Sequence, residues 1–391
     1  MSEAGSDYAV MVHCHLRWDF VWQRPQHIIS RLSQYNPVLF LEDAAPLPAG
    51  ETEPHHALTH VSENLTVARP LLYPHTGDPA KDAEADRLNG PTWDRLLDER
   101  VAALRAADPR WNHIVHYFYT PMAVGVRHRY EPVAVVYDCM DELANFKGAS
   151  PELRAKEAEL MGAARVVFTG GPSMYAARKD IHSNVHLFNS GVDVAHFRRA
   201  RDEATEIPAD MADKPRPRFL YYGVIDERMG WDNIAALCDA HPEGSVFLVG
   251  PLAKITEDDL LRRPNLFYTG QRSYDDLPGY LKGCDVALVP FAISDATKYL
   301  SPTKTLEYFA ARKPVVSTPI ADIVRHYSDA ARVAHSPAEF VAQCEAALAD
   351  GDAARLDAGE RYAAAYTWDS IVSEMHLLVD AAVAGGRAGG G

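Results

Sequence analysis

Lys304 and Glu307 stand three residues apart at the head of an apolar-periodic stretch, SPTKTLEYFAARKPVVSTP, at 301–319. The stretch reads as a loop, a helix opening near Pro302 and a buried strand. Proline suits a first helical position, where no backbone N–H is required. Leu306, Phe309 and Ala310 share one helical face. Arg312 and Lys313 complement the negative end of the helix, Pro314 stops it, and Val315 to Thr318 continue as a β-branched strand. The N-terminus of such a helix offers unpaired N–H groups and partial positive charge, an anion site. Ser301 and Thr303 add hydroxyls there, and Lys304 adds an ammonium. Glu307 projects from the same face as Lys304. Cation and amides for a diphosphate, with a carboxylate for ribose hydroxyls, would make a nucleotide-sugar site. The same residues also fit a capped surface helix with an incidental Lys–Glu pair.

A second concentration of chemistry lies near the start of the chain. Tyr8 to Cys14 reads as a first buried strand, and the loop after it carries His15, Arg17, Trp18, Trp22 and Arg24. In open α/β sheets ligands sit beyond the carboxyl ends of strands, where this loop must lie. Packed tryptophans and solvated arginines are the plainer alternative. Two further strands, Ile114–Phe118 and Val133–Tyr137, end in Tyr119 and in Asp138-Cys139-Met140-Asp141-Glu142, at the same rim. His116 either faces that rim as a candidate catalytic group or is a satisfied core histidine. His55, His56 and His60 are irregularly spaced in a loop-like stretch and are expected to be exposed rather than to bind a metal. No GxGxxG follows the first strand, which argues against a dinucleotide fingerprint.

Positioning these groups takes two domains. A chain of 391 residues with 47% hydrophobic content suits two units of just under 200 residues each. The elements alternate. Strands near 8–14, 38–41, 114–118, 133–137, 165–169 and 185–188 interleave with helices at 93–107 and 152–164. Ser173 is a candidate cap for the helix that follows. Segment 201–217 is charged, Pro-bearing and unpatterned, and is expected to be a linker. A second alternating array starts at Phe219, and GGRAGGG at 385–391 is expected to be a flexible tail. Such arrays imply an α/β protein of two Rossmann-like domains with parallel sheets facing a cleft.

A net charge of −15 argues against a general nucleic-acid binder and against a strongly basic membrane face. Five scattered cysteines with no CxxC pair fit a reducing compartment better than a disulfide framework or a zinc site. No run approaches the roughly 18 apolar residues of a spanning helix. The polar start, MSEAGSD, is unlike a signal peptide. A cytoplasmic protein is expected.

The sequence resembles a GT-B glycosyltransferase of the large retaining group called family 4, and more narrowly the bacterial teichuronic acid and exopolysaccharide biosynthesis glycosyltransferases. The matching pieces run in order: FVWQRPQHI at 20–28, FYTP at 118–121, YDCMDE at 137–142 and FNSGVDVAHF at 188–197. They continue with HPEGSVFLVGP at 241–251, NLFYTGQRSYDDLPGYL at 265–281, CDVALVPF at 284–291 and SPTKTLEYFAARKPVVST at 301–318. The resemblance implies an acceptor domain at 1–200, a donor domain at 218–360, and a C-terminal helix at 361–384 that crosses back to the first domain. It implies that Lys304 and the amides near Ser301, Pro302 and Thr303 bind the donor diphosphate while Glu307 holds the ribose. Segment 269–274, with Arg272 and Tyr274, would frame the base, with Gly223 and Phe291 at neighbouring strand ends. Arg17, Trp18, Trp22, Arg24 and Tyr119 fall on the acceptor side. There Asp138 and Asp141 are candidate catalytic carboxylates, paired in the glycosidase manner, or else bind acceptor hydroxyls or fix the loop.

Two departures from the family pattern stand out. The broad family often carries two glutamates eight positions apart; here Glu307 is the second and Tyr299 occupies the first. In GVIDERMG at 223–230, Val224 takes the place of a frequent arginine, and Arg228 is the candidate phosphate partner. The implied activity is transfer from a nucleotide sugar, UDP by default, to a hydroxyl of a glycan, lipid-linked or small-molecule acceptor. Lys304 and Arg228 would stabilise the leaving group without metal or cofactor. Any membrane contact would be peripheral, at the inner face. A GT-B sugar-nucleotide epimerase and a non-catalytic nucleotide-sugar-binding scaffold are the rival expectations.

Overall fold

The structure, a computed structural model, describes residues 6–146, 148–300, 303–349 and 352–388. Ala9–His13 (β1) is buried at every position, as a parallel strand covered on both faces must be. Arg24–Leu32 (α1), Val38–Leu41 (β2), Ala45–Pro46 (β3), His55–Ser62 (β4), Leu65–Leu72 (β5) and Pro79–Ala107 (α2) follow. Ile114–Phe118 (β6), Ala134–Cys139 (β7), Leu153–Ala163 (α3), Val166–Thr169 (β8), Pro172–Arg178 (α4) and Val185–Leu187 (β9) complete the first half.

In the second half come Val194–Arg198 (α5), Ala209–Ala212 (α6), Arg218–Tyr222 (β10), Trp231–Ala240 (α7), Ser245–Val249 (β11), Leu266–Gly270 (β12), Leu277–Gly283 (α8) and Val286–Val289 (β13). Thr303–Ala310 (α9), Val315–Ser317 (β14), Ala321–His326 (α10), Ala331–Val333 (β15), Pro337–Ala349 (α11), Ala353–Ala365 (α12) and Trp368–Ala388 (α13) close the chain.

The first sheet runs β5-β2-β1-β6-β7-β8-β9, with β3 beside the end of β5 and β4 antiparallel to β5. The second runs β12-β11-β10-β13-β14-β15 and is wholly parallel. In each sheet the first strand lies inside, so successive strands depart in opposite directions. Crevices therefore open at the carboxyl ends of β1/β6 and of β10/β13. The loops holding His15, Tyr119, Gly223 and Phe291 all begin there.

Several expectations need correction. Segment 201–217 is not a free linker: Met211 is buried in the second domain's core with Ile207 packed against it. Arg218 donates to the Ala212 and Lys214 carbonyls at 2.9 and 2.6 Å, pinning the segment's end. Helix α2 starts at Pro79 rather than Trp93. Asp78 accepts from the Ala80 and Lys81 N–H groups and Pro79 opens the helix. Only Ala85 is buried in its first half, so no apolar period marks it. The histidines expected in a loop lie on strand β4, exposed except for a half-buried His56. Among the described residues no His, Cys, Asp or Glu cluster could hold a metal.

Further differences lie around α9 and the C-terminus. Arg312 and Lys313 do not serve the end of α9: Arg312 pairs with Asp357 and Glu360 of α12, and Lys313 Nζ donates to the Cys284 carbonyl at 2.9 Å. Helix α12 thus stays with the second domain, and the return crossing begins at Trp368. From there Trp368, Ile371, Val372, Met375 and Val379 join the first domain's core with Tyr8, Val10 and Ile28. Helix α13 runs through the first residues of the expected tail, and 389–391 lie outside the described residues. Ser173 caps nothing; its hydroxyl donates to Asp322 Oδ1 of the second domain at 2.5 Å. All five cysteines are buried and free. Among the described residues no helix is long and apolar enough to cross a membrane.

Candidate active site

On the second domain's side of the cleft the geometry starts at two glycines. Gly223 ends β10 with φ +136°, and Gly250 ends β11 with φ +145°, a region L side chains rarely adopt. A β-carbon on Gly250 would lie 2.8 Å from the Gly223 carbonyl carbon, and one on Gly223 would lie 2.7 Å from Lys304 Nζ. The lysine side chain crosses directly over a strand end that must be bare. Bonds from Ile225 N–H to Pro251 O (3.0 Å) and from Ala253 N–H to Ile225 O (3.0 Å) zip the two loops together.

Lys304 is half-buried, and the loss of water around its ammonium lowers its pKa; the nearby Glu307 carboxylate works in the opposite sense. Among the described residues nothing hydrogen-bonds its Nζ. Glu307 is 6% exposed, and its Oε2 accepts from the Tyr222 hydroxyl at 2.6 Å. Burial raises the Glu307 pKa, against the pull of Lys304 and Tyr222. Arg228 forks onto Asp226, Nε to Oδ1 at 3.0 Å and Nη2 to Oδ2 at 2.7 Å. Burial opposes its charge, and the bonds to Asp226 more than offset that, leaving its pKa raised. Phe291 lies edge-on to Tyr221, 5.7 Å between centroids, with the Arg228 guanidinium over its ring.

On the facing domain the expected residues separate into two groups. Arg24 and Asp138 are both buried and form an ion pair at 2.9 Å. Tyr117 donates to Asp138 at 2.9 Å, and Arg24 donates to the Phe188 carbonyl at 2.9 Å. Asp138 is therefore a brace for α1 rather than a catalytic carboxylate, because its oxygens are already engaged. His116 is likewise no catalytic group. It is fully buried between His13 Nε2 at 2.9 Å and the Arg129 carbonyl at 3.0 Å, and burial pushes it down to about 4. Trp18 packs edge-on to Phe40 and Trp22, and Arg17 is exposed. Tyr119 is buried with its hydroxyl unpartnered.

Asp141 does face the cleft, pushed up to about 6 by burial although Arg228 and Lys304 pull it down. Beside it the cleft is lined by His15, Arg24, Phe146, Arg228 and Lys304. Burial holds His15 at about 4, so it is neutral at pH 7, and its Nδ1 has no partner.

A second, narrower cavity adjoins the first, lined by Trp22, Gly223, Gly250, Gln271, Tyr274 and Glu307. Thr303 and Lys304 line both, so the ammonium stands at their junction. Tyr274 stacks on His196 at 4.2 Å, lies 5.9 Å from the Trp22 ring, and keeps its buried hydroxyl unpartnered. Arg272 touches this cavity's edge, but its guanidinium is committed to Tyr280 and Asp210, both at 2.8 Å. Ser301 and Pro302 lie outside the described residues. Tyr299, at the departed glutamate position, packs on the first domain's cluster of Phe118, Val124 and Met174.

Sequence reasoning passed over Gly250, Asp226, Tyr222, Phe146, Lys254 and the particular role of His15. Gly250 had a signal: VFLVG ends a strand with glycine, as LYYG does at Gly223. Asp226 and Phe146 act through partners brought by folding, which spacing does not reveal.

Residues 216–350 match the family model described as glycosyl transferases group 1. A Bacillus subtilis (strain 168) protein named as a teichuronic acid biosynthesis glycosyltransferase, TuaH, is 25% identical over 162 residues, spanning 40% of this chain and 41% of that protein. Sucrose-phosphate synthase from Thermosynechococcus elongatus superposes with a TM-score of 0.66 at 15% identity, over 96% of this chain and 99% of that one. Anabaena HepE (Alr3699), solved in complex with UDP and glucose, gives 0.64 at 14% identity, over 95% and 99%. The fold is GT-B, two Rossmann-like domains facing a cleft.

Proposed function

We propose that the protein is a glycosyltransferase that moves a sugar from a nucleotide-sugar donor to an acceptor hydroxyl across the cleft. One observation carries this reading: Lys304, whose ammonium is unbonded among the described residues, lines both the interdomain cleft and the narrow cavity that adjoins it beside Tyr274 and Glu307. A UDP-sugar is the favoured donor, since HepE was solved with UDP. On this reading its nucleoside takes the side of Tyr274, Gln271 and Gly250, where the narrow cavity has to widen to admit it, with Glu307 placed to accept from ribose hydroxyls. Its diphosphate then falls against Lys304, Arg228 and the amides at the start of α9.

In the reaction the bond from the sugar C1 to the diphosphate breaks and a bond from C1 to the acceptor oxygen forms. In a retaining course, which we favour, the acceptor proton passes to the departing diphosphate, so no protein nucleophile is needed. Lys304 and Arg228 sit where charge accumulates on the leaving group, and a water-poor cleft strengthens their effect. These two cations supply the stabilisation in a metal-independent mechanism. Asp141 and His15 face the acceptor side and are positioned to orient its hydroxyls. The acceptor is read as a glycan or lipid-linked glycan of the cell surface, reached from the cytoplasm by peripheral contact only.

Calorimetric titration with UDP, GDP and ADP, on the parent protein and Lys304→Ala, tests the donor site. Tight binding of one nucleotide, lost in the variant, is the expected outcome. No binding of any of them overturns the reading. Tyr299 turned away into the other domain favours a second reading, binding without transfer. It predicts nucleotide binding with no labelled sugar passed to any acceptor glycan.

A further inference from the structure

Phe146 belongs to the acceptor-side domain, yet its ring lies against the cations of the other domain. The Arg228 guanidinium carbon is 5.2 Å from the Phe146 centroid, and Lys254 Nζ is 4.5 Å from it. From below, Phe291 approaches the same guanidinium at 5.8 Å, and Asp226 fixes two of its nitrogens. Arg228 is therefore held by a carboxylate and one ring from its own domain and by a second ring from across the cleft. No hydrogen bond engages its Nη1 among the described residues, so that nitrogen can meet a ligand.

The ring is built into place from both sides. Asn145 accepts from Arg154 at 3.0 Å within its own domain and donates to the Asp295 carbonyl of the other at 3.3 Å. Lys254 has φ +59°, a conformation uncommon outside glycine, and it also pairs with Glu227 at 3.2 Å. Its ammonium thus lies between Glu227 of its own domain and the Phe146 ring of the other.

We propose that Phe146 is a positioning residue: its ring, brought by the acceptor-side domain, orients Arg228 for the donor's phosphates. The cation geometry is then complete only when the cleft is closed. This rests on the donor site proposed above. It predicts that phosphate recognition, and not nucleoside recognition, depends on an aromatic ring at 146.

The test is calorimetry with UDP and with uridine on Phe146→Leu and Phe146→Tyr, alone and in an Arg228→Met background, together with small-angle scattering of the ligand-free proteins. Phe146→Leu should weaken UDP binding roughly 3- to 30-fold, the range of a lost cation–π contact. It should leave uridine unchanged and have little further effect once Arg228 is methionine. Phe146→Tyr, which keeps the ring, should bind like the parent. Free Phe146→Leu should also show a larger radius of gyration. Equal loss of UDP and uridine, or an undiminished effect in Arg228→Met, overturns the positioning role. An unchanged radius of gyration overturns the cross-cleft contact even if no nucleotide binds, which separates this failure from that of the donor site.

Discussion

Replacing Gly223 by alanine puts a methyl group where the Lys304 side chain now runs. The new carbon would lie 2.7 Å from Nζ and inside the contact shell of Cε, and 3.1 Å from the Tyr221 hydroxyl. Ordinary contacts need about 3.5–4 Å, so the ammonium must retreat by about 1 Å or more. The backbone cannot absorb this, because φ +136° is itself unfavourable to an L side chain, at a cost of about 1–3 kcal/mol. Two effects follow and can be read separately. Stability should fall by that amount in urea unfolding. UDP affinity should fall by about 10- to 150-fold, from the loss of charge-assisted bonds worth about 1.5–3 kcal/mol. Uridine, which offers no phosphate, should be far less affected. In a Lys304→Met background the effect of Gly223→Ala on UDP should largely vanish, since the group it displaces is gone. If Gly223→Ala is destabilised but binds UDP like the parent, or if the two effects simply add, then Lys304 does not act from its place over Gly223.

Other perturbations separate brace from site. Asp138→Asn leaves Arg24 charged and buried without its carboxylate, and should cost about 3–5 kcal/mol in urea unfolding; a loss under 1 kcal/mol would show the pair to be dispensable. Asp141 has a folded pKa of about 6 against an ordinary 3.8. The folded chain therefore holds this proton more tightly than the unfolded one. That contribution is present below about 4 and is lost as pH climbs through 6. Asp141→Asn should accordingly melt higher than the parent at pH 8 and match it near pH 4; a pH-independent difference would reject the buried carboxylate. Tyr299→Glu places a charge in the apolar cluster of Phe118 and Val124 and should lower Tm and open the cleft in scattering. Unchanged Tm with tighter UDP-sugar binding would instead return that position to the sugar.

What could be read beforehand follows physical lines. Strands β1, β10, β11 and β13 are continuous apolar runs because both faces are covered, and such runs survive any reading frame. Helix α9 was legible because its apolar face, its proline and its Lys–Glu pair are all local. The first half of helix α2 and strand β4 were not, since both lie largely in solvent and carry no periodic apolar signal. Segment 201–217 misled because its anchors, Ile207 and Met211, are isolated in sequence and meet the core only through folding.

The candidate site divides in the same way, and the division bears on how the proposed transfer can work. Lys304, Glu307 and Gly223 lie on or beside strand ends and helix starts, where local pattern and φ fix them. Arg24 and Asp138 looked equally chemical, but they are 114 residues apart and neutralise one another in the interior. A charged residue near a strand end is thus a site candidate only if folding leaves it a charge to spare. By that criterion Lys304, Arg228 Nη1 and Asp141 remain, with the neutral, unpartnered His15 Nδ1 beside them, and they come from both domains. Neither domain alone assembles the set, so under the proposed function ligand binding to the second domain should be coupled to closure against the first. A Phe146→Leu protein that still binds UDP-sugar should therefore lose transfer more than it loses donor hydrolysis, because water needs no second domain to reach C1. Measuring released UDP against transferred sugar in one reaction reads that ratio; a parent-like ratio would mean that closure does not depend on the ring.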